Sequence, residues 1–409
     1  MNIKILALLG FTLLSGAAKA GGYQVNLQGQ RQIGMGHAGT GLALDEASIF
    51  FNPGAMSHLR ENGFQLGASG IISKIAYLES ASNTTAMSDN PLGTPFTAYG
   101  VYGADESKLK FGLGIYTPFG SSVKWGEEWS GRHGLNELTL QAIFVQPTIS
   151  YKVSDKIGVG AGFVYSFGGV NLQRSIPVLD AQGNDGHAEL DGKASGMGFN
   201  AGIYVKPTDM LSIGLTYRSK VDMKVKGGDA KFDVPASLAT RFPATEFDAT
   251  LPLPANITLG LGYMPTEKLT VALDVQHVQW SAYKTLRFDY EDAVNGSNFT
   301  ESERNYEDVF IYRLGAEYKI TDEFALRAGG YYDNTPVAEG YLTPETPDAN
   351  AIGISGGLGY RIGEKLQIDA SFLYITKEER TDASDKSGGV AGTYKTNVYI
   401  PGLAIGYKF

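Results

Sequence analysis

The chain has 409 residues and a formal net charge of −9, with 53 Gly, 23 Tyr, 20 Phe and no Cys. The missing cysteine excludes disulfides, a Cys-ligated metal and a Cys nucleophile, and the negative charge argues against a nucleic-acid binder, which would carry a basic face. Beyond the N-terminal leader no apolar run reaches the ~18 residues of a membrane helix, so a membrane-spanning form has to cross with strands.

In chain order, residues 1–20 read as a cleavable leader. Lys4 supplies the positive start, Ile5 to Leu14 the short apolar core, and Ala18-Lys19-Ala20 the small-residue cleavage pattern. Residues 21–59 form a second unit, rich in Gly and Ala, with a Phe50-Phe51-Asn52-Pro53-Gly54 turn and neither strand alternation nor a long helical stripe. From residue 60 to 409 strand patterns dominate. In 157–167, Ile157, Val159, Ala161, Phe163, Tyr165 and Phe167 alternate with Gly158, Gly160, Gly162, Val164 and Ser166. Period two with one bulky face and one small or polar face predicts a strand between two solvents. The pattern recurs in 211–219, 257–263, 269–275, 324–332 and 352–360. A soluble sandwich would crowd its inner face with bulky apolar side chains. A membrane barrel turns the bulky face to lipid and keeps the small one for its interior.

Connections alternate in length. Short ones carry turn chemistry, as at Ser154-Asp155, Pro207-Thr208-Asp209 and Gly363-Glu364. Long polar ones are expected near 74–95, 118–137, 171–195, 222–252, 281–307, 334–349 and 378–396. Six short turns and seven long loops join about fourteen strands, an even number as a single-chain bacterial barrel requires, with the short side periplasmic. The last strand puts Tyr399, Leu403, Ile405, Tyr407 and Phe409 on one face. That terminal aromatic resembles the signal read by outer-membrane assembly machinery. The expected fold is all-β: an antiparallel transmembrane barrel of about fourteen strands, holding residues 21–59 in its lumen.

Family likeness begins in 21–59. The Gly22-Tyr23-Gln24-Val25-Asn26 start, the small-residue stretch Gly34 to Gly39 and the Asn52-Pro53-Gly54-Ala55 turn resemble the hatch of FadL-type (OmpP1/FadL/TodX) transporters. The usual motif is Asn-Pro-Ala; this chain has Gly54 in the third place. Tyr116-Thr117-Pro118-Phe119-Gly120, Leu253-Pro254-Ala255-Asn256, Trp280-Ser281-Ala282-Tyr283, Tyr312-Arg313-Leu314-Gly315 and Leu326-Arg327 are similar to later family segments. The resemblance implies passive uptake of hydrophobic molecules, foremost long-chain fatty acids, across the outer membrane of a Gram-negative bacterium. Extracellular loops would capture cargo, the hatch would shift, and cargo would leave sideways into the lipid through a kinked third strand.

The candidate hatch residues are Phe50, Phe51, Asn52, Pro53 and Gly54. For the lateral gap they are Gly112, Gly114, Pro118, Phe119 and Gly120, because Gly and Pro in a strand mark bulges and missing ladder bonds; ordinary barrel glycines are the competing reading. Phe119, Trp125 and Trp129 on the loop at 118–137 either present a binding surface or pack on one another. Arg313 and Arg327 fall on the lumen face, with Arg218 and Arg361. Each either meets a fatty-acid carboxylate or pairs with Asp45, Glu46, Glu317 or Asp369. The five scattered His show no ligand spacing, and no nucleophile elbow or Ser/His/Asp grouping is found. No metal, cofactor, enzymatic activity or nucleic-acid partner is expected. The expected partners are hydrophobic small molecules, outer-membrane lipids and the assembly machinery, with the protein a monomer. Competing functions are aromatic-hydrocarbon uptake within the same family, an open polar porin, or a barrel enzyme.

Overall fold

The computed structural model describes residues 22–104 and 107–409. The leader, Gly21, and Asp105 and Glu106 of the first short turn lie outside the described residues. The chain forms one closed antiparallel barrel of fourteen strands. Several of these strands are interrupted. The first half of the ring is β1 (Gly63–Ser69 and Ile72–Glu79), β2 (Thr85–Met87 and Phe96–Tyr102), β3 (Leu109–Lys124), β4 (Glu137–Ser154), β5 (Ile157–Leu179), β6 (Asp185–Val205) and β7 (Leu211–Arg218 and Val221–Asp233). The ring continues with β8 (Thr245–Leu253 and Asn256–Tyr263), β9 (Leu269–Val278 and Thr285–Val294), β10 (Ser297–Glu303 and Val309–Lys319), β11 (Phe324–Asp333), β12 (Ala351–Ile362), β13 (Leu366–Lys377 and Arg380–Asp382) and β14 (Gly392–Lys408). Closure is by β1 on β14, from Gly63 opposite Lys408 to Ser69 opposite Gly402.

The alternation faces as the pattern predicts. Phe163, Tyr165 and Phe167 of β5 and Leu403, Ile405, Tyr407 and Phe409 of the last segment are exposed on the outside, while Val164, Ser166 and Ala404 are buried inside. A closed barrel leaves no sheet edge with unpaired backbone groups, which is what lipid demands.

Three expected long loops are strand instead. The ranges 171–195, 222–252 and 281–307 are mostly hairpin extensions of β5–β6, β7–β8 and β9–β10. Their polar residues line the outer face, and the period of two continues beneath them. Val221, Met223 and Val225 are buried, as are Phe288 and Tyr290. β3 likewise runs on into the expected loop at 118–137, as far as Lys124.

Residues 22–59 run inside the ring, from mid-lumen down to the short-turn end, with single helical turns at Gln30–Ile33, Ser48–Phe51 and Pro53–Met56. Met35, Ala38, Ala47, Ile49, Ala55 and Met56 are fully enclosed. The lumen-facing wall glycines make this possible. A side chain on Gly214 would collide with the Thr40 carbonyl oxygen, and one on Gly315 with that of Met35. The small inner face therefore receives the backbone of another segment rather than leaving free space.

Candidate functional site

The lower lumen is polar and interlocked. Arg31 of the N-terminal segment grips Glu317 of β10 through two nitrogens, Nε to Oε2 at 2.8 Å and Nη2 to Oε1 at 2.6 Å. Arg327 of β11 donates to Glu317 Oε2 at 2.6 Å and to Asp369 Oδ1 at 2.7 Å. Two guanidinium groups and two carboxylates thus neutralise one another out of water, the condition under which buried charge is tolerable. Asp274 of β9 accepts from the backbone N–H of Gly39 at 2.9 Å and of Thr40 at 3.0 Å. Lys408 Nζ reaches Glu46 Oε1 at 2.5 Å, tying the last strand to the same segment.

The Asn52-Pro53-Gly54 turn belongs to this lock. Asn52 Nδ2 donates to the Thr40 carbonyl at 2.9 Å and to the Ile203 carbonyl of β6 at 3.1 Å, while its Oδ1 caps the next helical turn by accepting from Gly54 N at 3.0 Å. A Cβ on Gly54 would lie 2.7 Å from the Gly202 oxygen and 2.8 Å from that of Gly158. This close seat accounts for glycine in the third place of the turn. Phe50 and Phe51 flank His37, with ring centroids 6.0 and 4.8 Å away. His37 Nε2 accepts from Gln28 N at 3.2 Å, so the imidazole is neutral. Burial and the nearby Arg313 charge push its pKa well below the ordinary range.

Above the lock, β3 leaves its neighbour. The β2–β3 ladder runs from Tyr102 opposite Phe111 to Thr97 opposite Tyr116 and ends there. On the β4 side, Tyr116 pairs with Phe144 and Phe119 with Ala142, so Thr117 and Pro118 oppose a single residue. This one-residue bulge bends the strand. The freed edge of β3 turns to the N-terminal segment instead. Val25 N donates to the Pro118 carbonyl at 2.8 Å, Gly120 N to that of Tyr23 at 3.1 Å, and Gln28 Nε2 to that of Thr117 at 3.1 Å. Meanwhile Gly93 and Pro95 stay with β1, bonding at Ile71 and Ser69. The two sides meet again only higher up, where Asp89 N donates to the Lys124 carbonyl at 2.8 Å. The wall is therefore unladdered between Pro91–Pro95 and Thr117–Val123.

A cavity of about 500 Å³ lies behind this break, lined by both of its rims, by Tyr23 to Leu27 and by Val398 and Ile400 of β14. It shares Tyr23, Leu140, Gln141 and Glu345 with a narrow apolar slot of about 80 Å³ among Leu138, Val170, Met223, Val225, Leu253 and Phe288. The slot shares Arg304, Glu345 and Leu286 with a third cavity of about 140 Å³ on the long-loop side, bounded by His133, Arg174 and Gly388. Together the three make a stepped series from the loops to the break.

Among the residues singled out from sequence, Pro118 sits in the bulge, and Gly120 lines the large cavity behind it. Gly112 and Gly114 do not mark the kink: their ladders with β2 and β4 are regular. They seat the N-terminal segment instead, since Cβ atoms there would meet Met56 Sδ at 2.7 Å and Ile49 Cγ2 at 3.0 Å. Phe119 is buried against Tyr23, Phe144 and Trp280. Trp125 and Trp129 are not exposed. They stack at 4.5 Å with Tyr77 against them, and their indole nitrogens donate to the carbonyls of Pro344 and Leu135. Neither lines the three cavities, so they order the roof. Arg327 takes the wall-pairing alternative, with Glu317 and Asp369. Arg313 reaches Asn26 Oδ1 at 3.2 Å and faces a polar pocket of about 30 Å³, which shares Gln24 and Asn26 with the large cavity. Arg218 lies over Phe50 at 4.5 Å and donates to the Tyr116 hydroxyl at 2.7 Å. Arg361 is exposed at the short-turn rim, bonded to the Asp322 carbonyl. Arg31, Asp274, Arg304 and Glu345 escape a reading of the sequence. Nothing separates Arg31 from other polar residues of the N-terminal segment, Asp274 from ordinary barrel charges, or the last two from ordinary loop charges, until the fold brings their partners together.

Known proteins resemble this chain in sequence and in fold. A 47 kDa outer membrane protein of Pasteurella multocida is 26% identical over 97% of this chain and 96% of its own length. The long-chain fatty acid transport protein of Escherichia coli K12 is 22% identical over 89% of each chain. Among solved structures, a Pseudomonas aeruginosa FadL homologue superposes with a TM-score of 0.83 at 21% identity, covering 95% of this chain and all of its own. The Pseudomonas putida toluene transporter TodX does so at 0.70 with 18% identity, covering 96% and 98%. A family model for outer membrane protein transport proteins (OMPP1/FadL/TodX) matches residues 11–409. The chain belongs to that family of outer-membrane transporters.

Proposed function

We propose that the protein carries long-chain fatty acids passively across the outer membrane, with the N-terminal segment as a movable hatch and the break between β2 and β3 as the exit. The observation that carries this reading is the break itself, with a cavity of about 500 Å³ opening behind it. An apolar molecule gains nothing by entering an aqueous periplasm. A gap in the wall at lipid depth lets it pass from an apolar slot to an apolar bilayer without crossing water. The slot behind the cavity is narrow and lined mostly by aliphatic side chains, with Tyr23, Tyr283 and Phe288 among them, and its narrow, elongated apolar lining supports an extended acyl chain as cargo. The lock below closes the polar route, which distinguishes this barrel from a porin.

Two assays test the reading. Cells lacking their own fatty-acid transporter are expected to take up radiolabelled oleate when they express this chain, and to take up toluene no faster than controls. Liposomes holding the purified barrel are expected not to swell in small sugars. Rapid swelling, or toluene uptake without oleate uptake, would overturn the assignment.

A further inference from the structure

The outer wall of β5 to β8 changes character within a few residues. On the lower part, outward positions are apolar: Phe163, Tyr165 and Phe167 of β5, Phe199 and Met197 of β6, and Leu215 and Tyr217 of β7 are all exposed. An exposed band of this kind faces acyl chains. The next outward positions up β6 are Ser195 and Lys193, both exposed. Ser195 stands opposite Phe167 on one side and Lys224 of β7 on the other, and Lys224 in turn stands opposite Thr250 of β8. Lys193 is the diagonal neighbour of Lys224, a separation of about 7–8 Å along the wall. Opposite Lys193 on β5 is Gly169, with no side chain to intrude. Two ammonium groups thus flank a patch of small residues at the upper edge of the apolar band. The carboxylates at adjoining outward positions are engaged elsewhere. Asp222 pairs with Lys220 at 2.9 Å, Asp248 with Lys226, and Asp191 accepts from Asn171 Nδ2 at 3.0 Å. Lys193 and Lys224 are left without an ion pair among the described residues. The other acidic residues of this face, Glu189, Asp229 and Glu246, lie higher, on the water side, as does Lys231 opposite Glu189.

We propose that Lys193 and Lys224, with the hydroxyls of Ser195 and Thr250, form a site on the outside of the barrel for the phosphate monoester of an outer-leaflet lipid. Its acyl chains lie along Phe167, Met197 and Phe199. A phosphate monoester carries about −1.5 to −2 charges at neutral pH and three strong acceptor oxygens. Two ammonium groups and two hydroxyls match it in charge and in donors. Lysine suits the position, because its apolar stem lies along the wall while the ammonium stays at headgroup level. An anion without chains would meet the same four groups but nothing beneath them. The apolar band directly below therefore favours a phosphate that arrives on a lipid. The site follows from where the barrel sits in the membrane and does not depend on what the lumen carries.

The test is equilibrium binding of lipid A, a phosphorylated glycolipid, to the purified full-length barrel in non-ionic detergent, read by native mass spectrometry. Dephosphorylated lipid A and inorganic phosphate are the comparison probes. Both lysines are exposed, so their replacement is expected to leave folding intact, which heat-modifiable gel mobility checks. Wild type is expected to bind lipid A at least about tenfold more tightly than the dephosphorylated form and to retain it against equimolar inorganic phosphate. Lys193→Gln/Lys224→Gln is expected to weaken lipid A at least about tenfold, as two lysines lost at a lipid surface imply, and to leave the dephosphorylated lipid within about twofold. Lys231→Gln, higher on β7, removes the same charge outside the row and is expected to change lipid A binding by less than about twofold. Equal affinity of wild type for lipid A with and without its phosphates, or a double variant that binds lipid A as wild type does, would overturn the inference. So would a loss in Lys231→Gln as large as in the double variant, which would reduce the effect to overall charge. Displacement of lipid A by equimolar inorganic phosphate would also overturn it, by assigning the site to a free anion.

Discussion

Below Asn52 and Asp274 the lumen holds two interlocked ion pairs, backbone-to-carboxylate bonds and glycines pressed on backbone. Above Tyr116 the same wall turns aliphatic and aromatic around the slot, with Asp348, Lys377, Arg304 and Glu345 among the charged residues bordering the connected cavities. The contrast follows from what each half must satisfy. A polar lumen can hold a segment only if its buried donors and charges are matched, so the lower half is filled and bonded throughout. Apolar stretches of the upper lumen carry no such requirement and can stay partly empty at little cost in hydrogen bonds, while its few buried charges are paired, as Lys377 is with Asp348. The N-terminal segment joins the halves. Its Arg31 and Asn52 are in the lock, and its Tyr23 and Val25 complete the bent edge of β3.

Breaking the lock has the largest expected effect. Glu317→Leu leaves Arg31 and Arg327 buried without their shared carboxylate, a change worth about 3–5 kcal/mol. It is expected to loosen the segment and raise ion leak in planar bilayers, while the barrel keeps its heat-modifiable mobility. Leak equal to wild type would mean that the lower half is held by packing alone. In the upper half, Trp129→Ala removes the stacked partner of Trp125 and is expected to cost about 3 kcal/mol locally. Proteolysis of the loop at 125–136 should become faster, with leak unchanged. If leak rose as well, the two halves would not be independent. Gly54→Val sets a side chain against the Gly202 and Gly158 carbonyls, an overpacking cost of about 1–3 kcal/mol. It is expected to raise leak less than Glu317→Leu does.

The smallest effect is a pH dependence. His37 is neutral in the fold because burial and Arg313 hold its pKa down. A released segment takes up a proton below its ordinary value of about 6.5. Protonation then favours release, so stability conferred by the neutral ring is complete above that value and falls as the pH drops through it. Leak is expected to grow from pH 7 to pH 5 in wild type and to stay flatter in His37→Gln, measured as single-channel openings.

The barrel is legible in the sequence because lipid imposes period two on every strand, and residues such as Phe163 and Ser166 cannot both be satisfied any other way. The hairpins reaching past the membrane look like loops in the sequence, since water accepts polar residues on a strand's outer face as readily as on a loop. The turn at Asn52 and the bulge at Pro118 are readable from the residue types themselves. Gly112 and Gly114 mislead because glycine serves a bend and a close approach equally well, and only the position of Ile49 and Met56 decides between them. Trp125 and Trp129 are half-readable: packing on one another is one of two options the sequence leaves open, and the burial that settles it depends on Tyr77 and Tyr394 from distant strands. Arg304 and Glu345 give no signal, because their ion pair joins two separate loop-side segments.

Deleting Pro118 tests the central claim most directly. It removes the extra residue that makes two face one between Tyr116 and Phe119, restoring a regular register along β4 and letting β3 rejoin β2. With the barrel folded and surface levels matched, initial oleate uptake is expected to fall more than about tenfold, because ladder bonds between β2 and β3 would close the wall at the proposed exit. Palmitate binding to the purified variant should persist. Uptake equal to wild type in that straightened barrel would contradict a lateral exit between β2 and β3.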